Sequence, residues 1–105
     1  MQTGLFSMTV TIEPFVSRDE FGEPDYGSAV TYPARVEARS RLIAGSAGQE
    51  IAARGRVFLL ATEAPSVNDR MTLPAGYTPS QPPILEAHPV ADQAGRTQYV
   101  VAYYG

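Results

Sequence analysis

A chain of 105 residues with a hydrophobic fraction of 44% has room for one core and too many apolar residues for wholesale disorder. It contains no cysteine, which excludes a disulfide framework and any thiolate metal site. A net charge of −3 argues against a stand-alone DNA binder, which is basic overall. No apolar run approaches the eighteen or so residues of a membrane span. The opening MQTGLFSMTV lacks the basic and long apolar regions of a signal peptide, so the chain is expected to stay where it is made unless a larger assembly carries it out. The cytosol or a virus particle suits the lack of cysteine.

The elements read as strands. MTVTIEP (residues 8–14) alternates, with Val10 and Ile12 on one face and Thr9, Thr11 and Glu13 on the other. RDEFGEPDYG (18–27) follows as a turn with Gly22, Pro24 and Gly27 among acids. VTYPARVEAR (30–39) alternates more clearly: Val30, Tyr32, Ala34, Val36 and Ala38 inward, Thr31, Arg35, Glu37 and Arg39 outward. Pro33 falls on the outward face and predicts an edge position or a bulge. Residues 40–55 form a long internal excursion rich in glycine and alanine, in which AGQEIAAR (47–54) has at most a turn or two of helical character. RVFLLAT (56–62) is apolar on both faces, as in a strand covered by the core and by a neighbour. RMTLP (70–74), PILEAHPV (83–90) and QYVVAYYG (98–105) complete about six strands, separated by APSVNDR, PAGYTPSQPP and a turn near Gly95. Nine glycines and nine prolines so spaced predict an all-β domain, a small antiparallel β-barrel or sandwich over residues 1–105.

Charge is split along this framework. All eight basic residues are arginine. Between residues 35 and 56 lie Arg35, Arg39, Arg41, Arg54 and Arg56 against Glu37 and Glu50. Three arginines face nine acids in the remainder. One basic sector on an acidic chain suits head-to-tail contact between complementary surfaces, with planar guanidiniums as docking groups.

Catalytic constellations are thin. His88, the one histidine, stands beside Pro89 near a strand end, with Glu86 and Asp92 as local partners, and nothing marks either as special. One histidine without cysteine makes a zinc site improbable, and no metal or cofactor is expected. Asp19, Glu20, Glu23 and Asp25 lack the spacing of a calcium loop and read as a solvated hairpin tip. Gly45, Gly48 and Gly55 are not followed by Gly-Lys-Ser/Thr, so they make no phosphate loop. Tyr99, Tyr103 and Tyr104 would suit base stacking in an OB-like fold, or more simply a buried terminal strand whose hydroxyls reach solvent.

Three stretches together carry a resemblance. YPARVEARSRLIAGSAGQEIAARGRVFL (32–59), VNDRMTLP (67–74) and ILEAHPVADQAGRTQYVVAYYG (84–105) resemble the successive segments of tailed-phage head–tail joining proteins, also called head-completion or stopper proteins. The resemblance covers roughly residues 8–105 and rests on short motifs. It implies a small β-barrel assembling as a ring, taken as a hexamer, in the neck of the virion between the portal-bound adaptor and the tail-terminator or tail tube protein. Its long loop would point to the channel and help retain packaged double-stranded DNA. By position that loop is residues 40–55, with Gly48, Gln49 and Glu50 matching a Gly-Gln/Arg-Glu element and Leu42, Ile43, Gly45 and Ile51 as further channel or subunit contacts. Asp69 and Arg70 match a structural pair before a short strand. Assembly in the host cytoplasm would follow, with no membrane partner. The competing expectations are a tail-terminator or minor tail protein of the same particle, and a small OB-like nucleic-acid-binding module.

Overall fold

The apolar alternation becomes a curled antiparallel sheet. The computed structural model describes residues 7–44, 47–61, 63–91, 94 and 97–105. Among them are ten strands and no helix: β1 (Met8–Glu13), β2 (Phe15–Arg18), β3 (Pro24–Tyr26), β4 (Val30–Glu37), β5 (Arg41–Ala44), β6 (Glu50–Ala53), β7 (Gly55–Leu59), β8 (Arg70–Thr72), β9 (Ile84–Ala91) and β10 (Thr97–Tyr104). Six form one sheet in the order β8-β1-β4-β7-β10-β9, curled into a half-barrel. The protein is all-β, as its alternation predicts.

The inner face is built from rungs running across the central strands. Ala34, Leu59 and Val100 face one another on β4, β7 and β10, and so do Val36, Val57 and Ala102. With Val10 and Ile12 of β1, Met71 of β8 and Ile84 of β9 they form the buried core. Each large aliphatic side chain withdrawn there contributes about 1.5–3 kcal/mol against chain entropy. The inward assignment of β4 holds for Ala34 and Val36. It fails at the strand ends, where Val30 is 45% exposed and Ala38, past the end of β4, is exposed as well.

Pro33 departs from expectation. β4 is an interior strand, and its register runs through the Thr9–Pro33 pair without a shift. The reason is the side on which the proline nitrogen falls. Its own carbonyl accepts from Leu60 N at 2.9 Å, just past the end of β7. In an antiparallel pair the N–H and C=O of one residue face the same neighbour. The missing donor therefore lies where β7 has ended, and the ladder to β1 is intact.

Two connections between sheet neighbours are themselves hairpins. β2 and β3 pair between β1 and β4, and β5 and β6 pair between β4 and β7. Because β4 runs antiparallel to both neighbours, the first hairpin leaves at the end where β4 begins, the second where β4 finishes. They occupy opposite ends of the sheet. Within the excursion at residues 40–55, Arg41–Ala44 and Glu50–Ala53 thus pair as a β-hairpin, and the alanine-rich part, AGQEIAAR, is strand from Glu50 to Ala53 rather than helix. A segment that short between Gly48 and Gly55 cannot nucleate a helix, whereas Ile43 opposite Ile51 makes a good cross-strand pair.

Tyr104 is buried in the terminal strand as the sequence predicts, at 3% exposure, but its hydroxyl lies against Gly55 instead of reaching solvent, and burial raises its pKa. Its ring covers Gly55, directly across the ladder. A β-carbon on Gly55 would stand 2.6 Å from both the Glu37 carbonyl oxygen and the Tyr104 Cζ. Overpacking at such a site costs about 1–3 kcal/mol. Gly48 (φ 84°), by contrast, has nothing within 4 Å of its would-be β-carbon, so an alanine there meets only the left-handed backbone penalty of about 1–2 kcal/mol at a hairpin tip. Urea unfolding should therefore show Gly55→Ala lowering the global midpoint, while Gly48→Ala leaves the main sheet's transition nearly in place. Equal effects would contradict the close approach.

Candidate functional site

The last outward-facing residue of β4, Glu37, is the hub of the basic sector. Across the ladder it lies opposite Arg56, which lies opposite Tyr103. Arg56 Nε donates to Glu37 Oε1 at 2.8 Å. Arg35 Nη2 lies 3.2 Å from Oε2, and Arg41 Nη2 lies 3.9 Å from Oε1. Three guanidiniums therefore share one carboxylate. The hydrogen bond from Arg56 lowers the Glu37 pKa, partial desolvation opposes it, and the charges of Arg56, Arg35 and Arg41 add to the lowering. Reciprocally, Glu37 raises Arg56, with Tyr103 contributing. Arg56 also stacks 4.9 Å above the Phe58 ring, which fixes the planar group over the outer sheet face.

The cluster is short of acceptors. Arg41 Nε is buried with no hydrogen-bond partner among the described residues. Arg39 and Arg54 are exposed, and among the described residues neither has an ion pair. With Ser40, Arg39, Arg41 and Arg56 border an open cleft of about 560 Å³. Beside it, Arg41, Leu42, Ala52, Ala53 and Arg54 line a second open cleft of about 400 Å³ at the hairpin's edge.

The period of two sorts the hairpin residues. Ile43 and Ile51 are half-buried and Ala53 is buried on one face, while Leu42, Ala44, Glu50 and Ala52 are exposed on the other. Leu42 is 67% exposed. Gly48 supplies the left-handed turn residue, and Gln49 is exposed. Gly45 lies outside the described residues. The residues singled out between 35 and 56 thus gather at one end of the sheet.

Asp69 and Arg70 lie at the other end and do not bond to each other. Asp69 Oδ1 accepts from Phe15 N at 2.8 Å and Oδ2 from Ser66 N at 2.9 Å. Arg70 holds Glu13 through both carboxylate oxygens, at 2.8 and 2.7 Å, and covers the Tyr26 ring at 4.3 Å. That hydrogen bonding lowers the Glu13 pKa. The two residues tie β8 to the root of the β2–β3 hairpin. At its tip, Asp19 Oδ1 accepts from Phe21 N and Glu23 N, both at 2.9 Å, and Gly22 turns the chain at φ 82°. The acidic stretch is a hairpin tip.

Sequence reasoning missed Phe21, which is 82% exposed at that tip. The signal was an aromatic residue inside DEFGE, a turn otherwise made of acids and glycine. His88 is exposed in the middle of β9, beside Tyr103 with ring centroids 6.2 Å apart. Asp92 and Gly95 lie outside the described residues. Tyr99 packs edge-on against Phe58 on the outer face, while Tyr104 turns inward, so the three tyrosines form no common platform.

No model of a known protein family matches this chain, and no curated protein matches it. The resemblance to head–tail joining proteins rests on the quoted residues alone.

The lowered Glu37 pKa fixes a sign. A carboxylate depressed in the folded state adds stability above its unfolded pKa and loses it as pH falls through the folded value. Glu37→Gln should cost about 1 kcal/mol or less at neutral pH. The gap between the melting temperatures of the two proteins should close on acidification. A gap that stays constant down to strongly acid pH would show that Glu37 acts by packing rather than charge.

Proposed function

We propose that this chain is a structural connector of a tailed-phage particle, of the head-completion or stopper type. In this reading copies join as a ring between the portal-bound adaptor and the tail, and retain packaged DNA by sterics rather than by chemistry. The observation that carries the reading is the β5–β6 hairpin: an ordered arm set off from the end of a small β sheet, exposing Leu42 and rooted among arginines that outnumber their acceptors. An arm of this kind serves contact with something outside the domain. Its root is held by Gly55 and Tyr104, while Gly48 at its far end lies at φ 84° with nothing within 4 Å of a would-be β-carbon. A fixed root with an uncrowded glycine at the far end suits an element that must occupy a channel and later clear it. The arginine-rich root would give that element favourable, sequence-independent contact with phosphates.

The same end of the sheet argues against the OB-like alternative. A single-strand platform needs aromatic faces open to stacking. Here Tyr104 is buried, and Phe58 is covered by Arg56 and Tyr99.

The test uses particles from a producer in which the gene for this chain is interrupted, viewed by electron microscopy. Empty, tail-less heads beside separate finished tails are the expected result. Full heads with misshapen tails would move the protein into the tail, and normal particles would end the assembly reading. A finer variant replaces residues 45–49 with Asn-Gly, which fits a two-residue turn between the paired Ala44 and Glu50. The sheet should fold as before while DNA retention falls. Full DNA content in those particles would remove the gating role of the arm.

A further inference from the structure

We propose that the acidic tip of the β2–β3 hairpin of one copy docks, Phe21 foremost, into the arginine-rimmed cleft beside the β5–β6 hairpin of the next. The inference rests on the ring reading in that its partner is a second copy. It adds which two surfaces meet.

Three observations converge on it. The first is an unpartnered apolar group at each surface: Phe21 is 82% exposed and Leu42 67% exposed. Phe21 projects from a turn whose backbone is held by the Asp19 carboxylate, so the ring is presented on a fixed support. The receiving cleft, an open hollow of about 400 Å³ lined in part by the exposed Leu42 and Ala52, has room for a phenyl ring.

The second is charge. Asp19, Glu20, Glu23 and Asp25 surround the tip and are all exposed. Arg41 and Arg54 rim the cleft, and Arg39 lines the adjoining one. Arg39 and Arg54 have no ion-pair partner among the described residues, and Arg41 Nε has no acceptor. The acids of a neighbouring tip would supply what Glu37 alone cannot. Apolar groups at the centre with opposite charges at the rim is the ordinary anatomy of a specific interface.

The third is topology. β4 spans eight residues, so the two hairpins leave the sheet roughly 25 Å apart, at opposite ends. The surfaces cannot meet within one chain. A complementary pair at opposite ends joins copies head to tail, a heterologous contact that closes into a ring when the rotation permits. One buried phenylalanine with rim charges falls short of the cost of bringing two free molecules together. The contact is therefore weak in dilute solution and effective when copies are held side by side.

Because the chain has no cysteine, cross-linking tests this directly. Two variants are mixed at high concentration and low salt with a short bis-maleimide: Glu20→Cys at the tip, and Ala52→Cys on the exposed face of the β5–β6 hairpin. Phe21 and Leu42 are retained. The 20–52 heterodimer should exceed the 20–20 and 52–52 homodimers by about tenfold. Adding Phe21→Ser to the first chain should remove that excess, since loss of one buried aromatic is worth about tenfold or more. Phe21 is exposed in the single chain, so its loss does not threaten folding. Adding Arg54→Glu to the second chain should lower the yield, and Glu23→Arg in the first should restore part of it. A heterodimer no more abundant than the homodimers overturns the inference. If the chain still oligomerises while this cross-link is absent, the ring forms through other surfaces and the connector reading stands. If particles lacking the chain are normal, the connector reading fails whatever the cross-links show.

Discussion

At Gly55 the ring of Tyr104 and the carbonyl of Glu37 occupy the space that any other residue would need for its β-carbon. The rest of the basic end depends on this close approach. Arg54 N donates to the Tyr104 carbonyl at 2.8 Å, which fixes the chain as it returns from the β5–β6 hairpin into the sheet. Ala53, just before Arg54, is buried, and Arg56, just after Gly55, faces out toward Glu37. An exposed arm, its anchored root and a charge cluster on the outer face are thus set by one strand entry within four residues. A side chain at position 55 would push β7 from β4 and part Arg56 from Glu37.

The second organising constraint is the antiparallel placement of β4 between β1 and β7. It sends two insertions of opposite charge to opposite ends of one small sheet. Each end has its own fastening. Glu37 gathers arginines at one, while at the other Arg70 grips Glu13 and Tyr26, and Asp69 holds the backbone of Phe15. The fastenings differ in what they leave over. Arg70 and Glu13 satisfy each other one to one, whereas Glu37 is outnumbered three to one. Among the described residues, surplus guanidinium donors at one end and acids without an ion pair at the other make the molecule electrically polar along its strands.

How much of this the sequence discloses follows from which interactions are local. Strand periodicity is local, so Val10 and Ile12, Ala34 and Val36 are assigned correctly from alternation alone. The all-β class follows. The hairpin at 41–53 is hidden because Ala44, Ala52 and Ala53 have weak strand preference and the pairing of Ile43 with Ile51 spans a glycine-rich gap. Pro33 misleads because its cost depends on where β7 ends, which no window around Pro33 contains. Tyr104 reads correctly as part of a buried strand, but its hydroxyl does not, for the same reason: the space it enters is the missing side chain at Gly55, forty-nine residues away by number. The basic sector is visible as a count of arginines, yet its shortage of acceptors appears only once Arg35, Arg41 and Arg56 converge on Glu37. The acids of 19–25 read correctly as a hairpin tip, but the exposure of Phe21 among them appears only once the β2–β3 turn is in place.

Magnitudes decide how such a molecule behaves alone. Burying one phenylalanine ring returns about 2 kcal/mol, and exposed ion pairs at a rim about 0–1 kcal/mol each. Free association costs at least about 4 kcal/mol before side chains are ordered. The sum lies near zero, so the proposed head-to-tail contact would leave the isolated chain monomeric at ordinary concentrations. That weakness has a use. A strong heterologous contact between free copies would grow into open filaments wherever the rotation failed to close. A weak one remains dormant until a symmetric platform holds several copies at high local concentration, where most of the association cost has already been met. In the proposed ring the platform would set the number of subunits, and the contact between tip and cleft would have only to close the gaps between neighbours already in place.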